Sequence, residues 1–105
     1  VGFSPACIAA LGTFNILYSV MVHANLNWTF GPFKYVFASP VFHRWHHTSQ
    51  QEGMDKNFAP TIPLLDIIFG TFYMPEGKLP EHYGVSGSNI PSDYIGQMLW
   101  PFKAK

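Results

Sequence analysis

The sequence predicts an all-α protein, namely a fragment of an integral membrane helical bundle that carries a histidine-rich cap on the cytoplasmic side. Three observations predict this fold class. Residues 1–33 contain no Lys, Arg, Asp or Glu, and three of the five histidines fall within residues 43–47. Only 11% of the residues are charged, whereas about 25% are charged in a typical soluble domain. At 105 residues the chain is long enough for one small domain at most.

Charge and cysteine content narrow the function classes. The formal net charge is zero, so nothing indicates electrostatic binding to nucleic acid or to an acidic lipid surface. Cys7 is the only cysteine; an internal disulfide is therefore excluded, and we expect the residue to be buried as a small hydrophobe. The chain starts at Val1 without a basic segment, which argues against a signal peptide, and we expect it to be the C-terminal part of a longer protein.

The first predicted element is a membrane helix over about residues 5–24. Ser4 is a suitable N-cap and Pro5 a suitable first helical residue. From Pro5 to His23 the helix would rise about 27 Å, close to the roughly 30 Å of a hydrocarbon core. The alternative is a core helix of a soluble domain, but a domain this small could rarely bury such a helix on all sides.

The elements that follow are shorter. Gly31 and Pro32 mark a turn before a short aromatic segment, and Ser39 and Pro40 repeat the helix-start signal for a second helix over about residues 40–49. After a loop over residues 50–62, a C-terminal cap over residues 63–105 is expected to hold two short helices. The first of these begins at Pro63 and is expected to end at Gly70, since glycine commonly ends a helix. The second is expected to stop at Pro101, because proline interrupts the helical hydrogen bonds.

The histidines of the second helix share one of its faces. At about 100° per residue, His43, His46 and His47 lie within an arc of about 100°, while Trp45 points the other way. Three crowded imidazoles are best kept neutral by a metal ion. His46 and His47 diverge, so with His23 at the end of the first helix the four candidates are better divided between two ions than placed on one.

Spacing alone does not identify the metal. An imidazole-rich site suits Zn, Fe, Cu or Ni, and the zinc-protease pattern H-E-x-x-H is absent because Arg44 occupies the Glu position. The alternative for the second-helix histidines is a solvated or stacked patch, and for His23 an interfacial residue. His82 lies in a Pro- and Gly-rich loop and is interpreted as a surface residue.

Several motifs together resemble a known family. The H-x-x-H-H pattern at residues 43–47, the segment "DKNF" at 55–58 and the block "LLDIIFGTF" at 64–72 are similar to the C-terminal part of the fatty acid hydroxylase superfamily, also called the sterol desaturase family. The segment "VHANLNWTFGPFKYVFASPVFHRWHH" resembles the bacterial sterol-desaturase-like members in particular. The resemblance covers about residues 14–75.

The resemblance implies a multi-pass membrane oxidoreductase that holds two iron ions, with zinc as a possible substitute, and uses O₂ to hydroxylate or desaturate a lipid C–H bond. It maps His43, His46 and His47 onto the last histidine box and His23 onto the histidine of the preceding membrane helix. The histidine expected four residues before His23 is replaced by Ser19. An electron-donor protein or domain is implied as a partner. By resemblance, three further polar residues are expected to orient imidazoles or dock helices: Asp55, Asn57 and Asp66. The alternative for Asp55 and Asn57 is that they only cap a loop.

The positions of the basic residues predict on which side of the membrane the metal site lies. Lys34, Arg44 and Lys56 follow the membrane helix closely, which places the metal site on the cytoplasmic side by the positive-inside rule. One rival is a non-enzymatic membrane module for zinc binding or assembly, and another is a soluble helical hydrolase with a zinc site. Because four imidazoles are too few for two ions, we expect residues 1–105 alone to be catalytically inactive.

Overall fold

The computed structural model describes residues 2–87 and 89–103. Within these residues the regular structure is helical, and the sole β-type pairing is an isolated bridge between Thr48 and Tyr83. The predicted all-α class is thus confirmed for the described residues. In chain order the helices and the two short 3-10 turns are α1 (Pro5–Val22), a 3-10 turn (Gly31–Tyr35), α2 (Pro40–His46), a 3-10 turn (Gln51–Gly53), α3 (Leu64–Ile68) and α4 (Tyr94–Lys103).

Helix α1 starts with the predicted cap and is otherwise largely free of contacts. The Ser4 hydroxyl accepts a hydrogen bond from the Cys7 backbone N–H at 3.2 Å. Val22 is its one buried residue, and α1 is the one helix among the described residues that is long and apolar enough to cross a membrane. The expectation that Cys7 is buried is wrong: it is exposed, because α1 packs against α2 only near its C-terminal end. There the Tyr18 hydroxyl donates to the Ala38 carbonyl at 2.7 Å.

Helix α2 forms the centre of the packed region. The Ser39 hydroxyl caps it by accepting from the Phe42 N–H at 3.2 Å, and most of its residues are buried. The helix ends at His46, three residues earlier than the predicted end near residue 49. The physical reason is that Thr48 and Ser49 both turn away to donate hydrogen bonds to the His82 carbonyl, at 2.8 Å and 3.0 Å.

The side of α2 opposite the histidines is closed by aromatic packing. Trp45 is fully buried and meets the Tyr73 ring edge-on, with ring centroids 5.0 Å apart. Gly53 lies so close that a Cβ there would be 2.8 Å from Trp45 Cε3 and 2.5 Å from Thr48 Cγ2. Glycine is therefore required at this position by the close approach of the 3-10 turn to α2.

Helix α4 departs from its prediction at the C-terminal end. Pro101 was expected to stop the helix, but the helix continues to Lys103 with Pro101 inside it. Proline removes one backbone donor and crowds the carbonyl four residues earlier. The loss of this single hydrogen bond does not end the helix within the described residues.

Candidate metal centre

The candidate metal centre joins the end of α1 to α2. His23 is the C-cap residue of α1, His43 lies within α2, and His47 is the C-cap residue of α2. The His43 Nε2 atom is 3.0 Å from His23 Nε2 and 3.0 Å from His47 Nε2, and His23 and His47 Nε2 are 3.3 Å apart. The structure thus brings His23 to the α2 histidines, as the sequence interpretation expects, and these three residues form a group able to hold a metal ion.

A backbone carbonyl determines the tautomer of His23. The His23 Nδ1 atom lies 2.7 Å from the Ser19 carbonyl oxygen, one turn earlier in α1. A carbonyl can only accept, so Nδ1 must carry the proton. In the neutral ring the Nε2 atom then has a free lone pair, and it is this atom that faces His43 and His47. A metal-binding imidazole is arranged in the same way, with its other N–H held by a carbonyl or carboxylate.

Burial and neighbouring imidazoles keep the rings neutral. Desolvation, and after it the charges that His23, His47 and His46 would carry, together lower the pKa of His43 from 6.5 to about 4. Desolvation also lowers the pKa of His47, together with His46 and His23. Near neutral pH these two rings are uncharged, which is the form that binds metal.

The spacing of the three nitrogens fits an ion. A point equally distant from all three lies about 1.8 Å from each within their plane. This is close to the roughly 2.1 Å of a metal–nitrogen bond, so the three imidazoles could hold one ion together. The Nδ1 atom of His43 is buried and has no hydrogen-bond partner among the described residues. A cavity of about 390 Å³ is lined by the three imidazoles together with Val22, Asn25, Arg44 and Tyr83.

His46 lies beside the three-nitrogen group and not in it. Its ring stacks on that of His43 with centroids 5.6 Å apart, and it meets Phe58 edge-on at 6.0 Å. The His46 Nδ1 atom donates to the Lys56 carbonyl at 3.1 Å, so its Nε2 atom also has a free lone pair in the neutral ring. The predicted divergence of His46 and His47 agrees with this placement.

Of the three polar residues expected around the histidines, Asn57 and Asp66 bind backbone groups, and no hydrogen bond joins any of the three to an imidazole in the described structure. Asn57 is buried, donates to the carbonyls of Phe42 and Tyr73 at 2.9 Å and 2.7 Å, and accepts from the Tyr73 N–H at 2.7 Å. It therefore docks α2 onto the loop that carries Lys56. Asp55 is exposed at a left-handed φ of 56°.

Asp66 organises the segment that follows Asn57. Its carboxylate is 2% exposed and accepts hydrogen bonds from the Phe58 N–H at 2.8 Å, the Ala59 N–H at 2.9 Å and the Thr71 hydroxyl at 2.5 Å. The carboxylate thus fixes the chain on the C-terminal side of the Lys56 carbonyl. Its influence on His46 runs through this backbone.

Arg44 has a structural role that was not predicted from the sequence. Its guanidinium donates to Asn25 Oδ1 at 3.1 Å, to the Leu26 carbonyl at 2.8 Å and to Asn27 Oδ1 at 2.7 Å. It thereby ties the segment after α1 to α2, next to the histidines. The signal in the sequence is the Asn-x-Asn pattern at 25–27, which offers acceptors to an arginine fork. His82 is exposed; its backbone carbonyl accepts from Thr48 and Ser49, and its backbone N–H donates to Gln50 Oε1 at 3.5 Å.

The fold and site define a helical protein in which an apolar helix ends in a cluster of imidazoles. Comparison with known proteins shows to which family this helical protein belongs. The sequence matches the fatty acid hydroxylase family over residues 1–71, and the chain belongs to that family.

Individual relatives agree with this assignment. The ornithine lipid hydroxylase OlsE of Rhizobium tropici is 25% identical over 90% of this chain and 28% of its own length. The alkylglycerol monooxygenases of Xenopus tropicalis and Homo sapiens are 36% and 35% identical, each over 71% of this chain and 17% of its own length. The chain thus spans less than a third of these relatives. No solved structure matches it significantly.

Proposed function

We propose that the protein is part of a membrane-bound, non-haem diiron oxygenase that uses O₂ to hydroxylate or desaturate a C–H bond of a lipid. The observation that carries the proposal is the convergence of three Nε2 atoms within 3.3 Å of one another at the end of an apolar helix. Family membership supports it, as do relatives whose names describe hydroxylation of an ornithine lipid and oxygenation of an alkylglycerol.

In this proposal His23, His43 and His47 hold one iron ion, and His46 is a ligand of the second. Bound iron supplies the redox chemistry that activates O₂, which no side chain can provide. Four imidazoles are too few for two ions, so the remaining ligands are contributed by protein outside residues 1–105. Zinc could substitute in the same nitrogen sites without supplying redox chemistry.

The chain's own residues hold the centre ready. The carbonyls of Ser19 and Lys56 keep the protons of His23 and His46 on Nδ1 and direct both Nε2 lone pairs away from those carbonyls. The burial of His43 lowers its pKa and keeps it unprotonated. Arg44 clamps the end of α1 to α2, so that the imidazole of α1 stays in register with those of α2.

The position of the centre suits a lipid substrate and a separate electron donor. The surface of α1 is exposed along almost its whole length, which is expected of a helix in contact with lipid, and His23 follows its last residue. An apolar chain can then approach from the bilayer. Lys34, Arg44 and Lys56 follow the apolar helix closely in the sequence, as the α2 histidines do, so we propose that the metal site is on the cytoplasmic side and receives electrons from a donor protein.

The experiment measures metal content, O₂ consumption and lipid oxidation in the full-length protein that contains residues 1–105, reconstituted in lipid nanodiscs. His43→Ala is expected to lose bound iron and activity, because it removes the central nitrogen of the group. His82→Ala, which changes an exposed histidine outside the centre, is the matched control and should retain both. Equal losses in the two variants would contradict the assigned site. Stoichiometric zinc with no lipid-dependent O₂ consumption would instead support the zinc-module alternative.

A further inference from the structure

A second and larger cavity lies on the other side of the segment that follows α1. Its volume is about 680 Å³, and residues 27–35 and 74–79 form most of its wall, with Val41 of α2. Ligand sites in proteins typically have about 300–1,000 Å³ and combine an apolar lining with a few convergent polar groups. Here the apolar wall includes Tyr35 and Leu79, and the charged groups are Lys34, Glu76 and Lys78.

Lys34 is the cation best placed for a ligand in this cavity. Its side chain is only 17% exposed, and its acidic partner Glu76, at 3.4 Å, is 92% exposed. An ion pair at this distance whose acidic partner is exposed contributes little, and an incoming anion can replace Glu76. Lys78 is already engaged by Glu52 at 2.8 Å, a residue that does not line the cavity.

The backbone that forms this wall takes a costly conformation. Phe30, which caps the 3-10 turn that contains Lys34, and Gly31, the first residue of that turn, have successive positive φ angles of 61° and 49°. A bulky residue rarely occupies this region, and such outliers concentrate at binding sites. The two residues reverse the chain, so that the 3-10 turn directs Lys34 to the cavity while Phe33 and Phe37 remain 62% and 48% exposed.

This arrangement is typical of an element at the head-group layer of a membrane, where a lysine reaches the polar zone and aromatic side chains meet the lipid. The cavity is also adjacent to the candidate metal centre. Asn27 lines the larger cavity, Arg44 lines the histidine cavity, and the two side chains touch at 2.7 Å. Val41 contributes to the larger cavity two residues before His43 in α2.

We propose that this cavity binds the anionic head group of an amphipathic lipid, with Lys34 as the counter-ion to its phosphate or carboxylate. The inference rests on the proposed function, since it assigns a place to the polar end of that enzyme's substrate. The apolar wall beside Lys34 accepts the first carbons of the lipid, and the Arg44–Asn27 pair separates the head group from the histidines.

The test compares three probes by isothermal titration calorimetry on the full-length protein that contains residues 1–105, in detergent micelles. They are dioctanoyl phosphatidylglycerol, the neutral dioctanoylglycerol with the same chains, and inorganic phosphate. Lys34→Met removes the charge and keeps the apolar stem, Lys34→Arg keeps the charge, and Lys103→Ala changes an exposed lysine of α4 as the control. Thermal melting of each variant verifies that it is folded.

The expected result is that the protein binds phosphatidylglycerol at least about tenfold more tightly than dioctanoylglycerol. A preference of this size is expected because phosphatidylglycerol makes one additional charge-assisted contact, to Lys34. Lys34→Met should remove this preference, whereas Lys34→Arg and Lys103→Ala should keep it. An unchanged preference in Lys34→Met overturns the inference. Inorganic phosphate binding as tightly as phosphatidylglycerol shows a site for a free anion and overturns its lipid part.

Iron content and O₂ consumption, measured on the same samples, test the proposed function separately. A lost head-group preference in the unmodified protein with iron and activity present overturns this inference alone. A head-group preference without iron or O₂ consumption overturns the proposed function and leaves an anionic lipid site.

Discussion

Asp66→Asn tests whether one carboxylate organises the loop behind the histidines. The Asp66 side chain is 2% exposed; its Oδ1 accepts from the Phe58 N–H and the Thr71 hydroxyl, and its Oδ2 accepts from the Ala59 N–H. Asparagine has the same shape but replaces one acceptor oxygen with an NH₂ group. Whichever way the amide is oriented, at least one buried donor faces another donor.

The magnitude follows from these contacts. A hydrogen bond to a charged group contributes about 1.5–3 kcal/mol, and a buried donor left unsatisfied costs about 1–3 kcal/mol. We therefore expect Asp66→Asn to lower the free energy of unfolding by about 3 kcal/mol. For a domain of this size that corresponds to a fall in Tm of about 12 °C or more.

The assay is thermal melting in detergent, followed by tryptophan fluorescence, with urea unfolding as a second measurement. Asp55→Asn is the matched control, because Asp55 is exposed in the same loop and asparagine tolerates its left-handed φ of 56°. The control should change stability by less than about 0.5 kcal/mol. A Tm for Asp66→Asn within about 2 °C of the control would refute the reasoning.

Three further predictions follow from the packing, the histidines and the ligand count. Gly53→Ala should destabilise by about 1–3 kcal/mol in urea unfolding, because the new Cβ would lie 2.8 Å from Trp45 Cε3; Gly12→Ala, where a Cβ meets nothing within 4 Å, should not. The pKa of His43 is lowered in the folded state to about 4 from 6.5, so the metal-free protein should keep this contribution to stability above about pH 6.5 and lose it as the pH falls towards about 4. Melting curves recorded with a chelator at several pH values measure this loss of stability, which should be smaller in His43→Gln than in the unmodified protein. An equal loss in the two proteins would contradict the prediction. Residues 1–105 supplied with iron and a reductant should give no lipid product by mass spectrometry, and measurable turnover would contradict the ligand count.

The parts of the fold that depend on local signals were predictable from the sequence. Ser-Pro pairs at residues 4–5 and 39–40 marked both helix starts, and the serine hydroxyl caps its helix in each case. The i, i+3, i+4 spacing indicated a shared histidine face with Trp45 on the opposite side, where it is fully buried. Such features follow from chain geometry over one or two turns, which a single sequence contains.

Features that depend on long-range contacts were not predictable. The end of α2 depends on the His82 carbonyl, more than thirty residues away, and the exposure of Cys7 depends on how little of α1 packs. The sequence also pointed to side chains as the partners of the imidazoles, whereas Asp66 and Asn57 bind backbone groups. Nothing in a sequence pattern marks a main-chain carbonyl as a partner, because every residue carries one.

That backbone role has a consequence for how the centre tolerates change. The oxygen that holds the His23 ring belongs to residue 19, yet the side chain of that residue takes no part in the contact. The same is true of residue 56 and His46. Substitution by alanine at either position should therefore leave the ring orientation intact, and an alanine scan would pass over both. The centre is vulnerable instead to changes that shift the last turn of α1 or the path of the loop, including changes made several residues from any histidine.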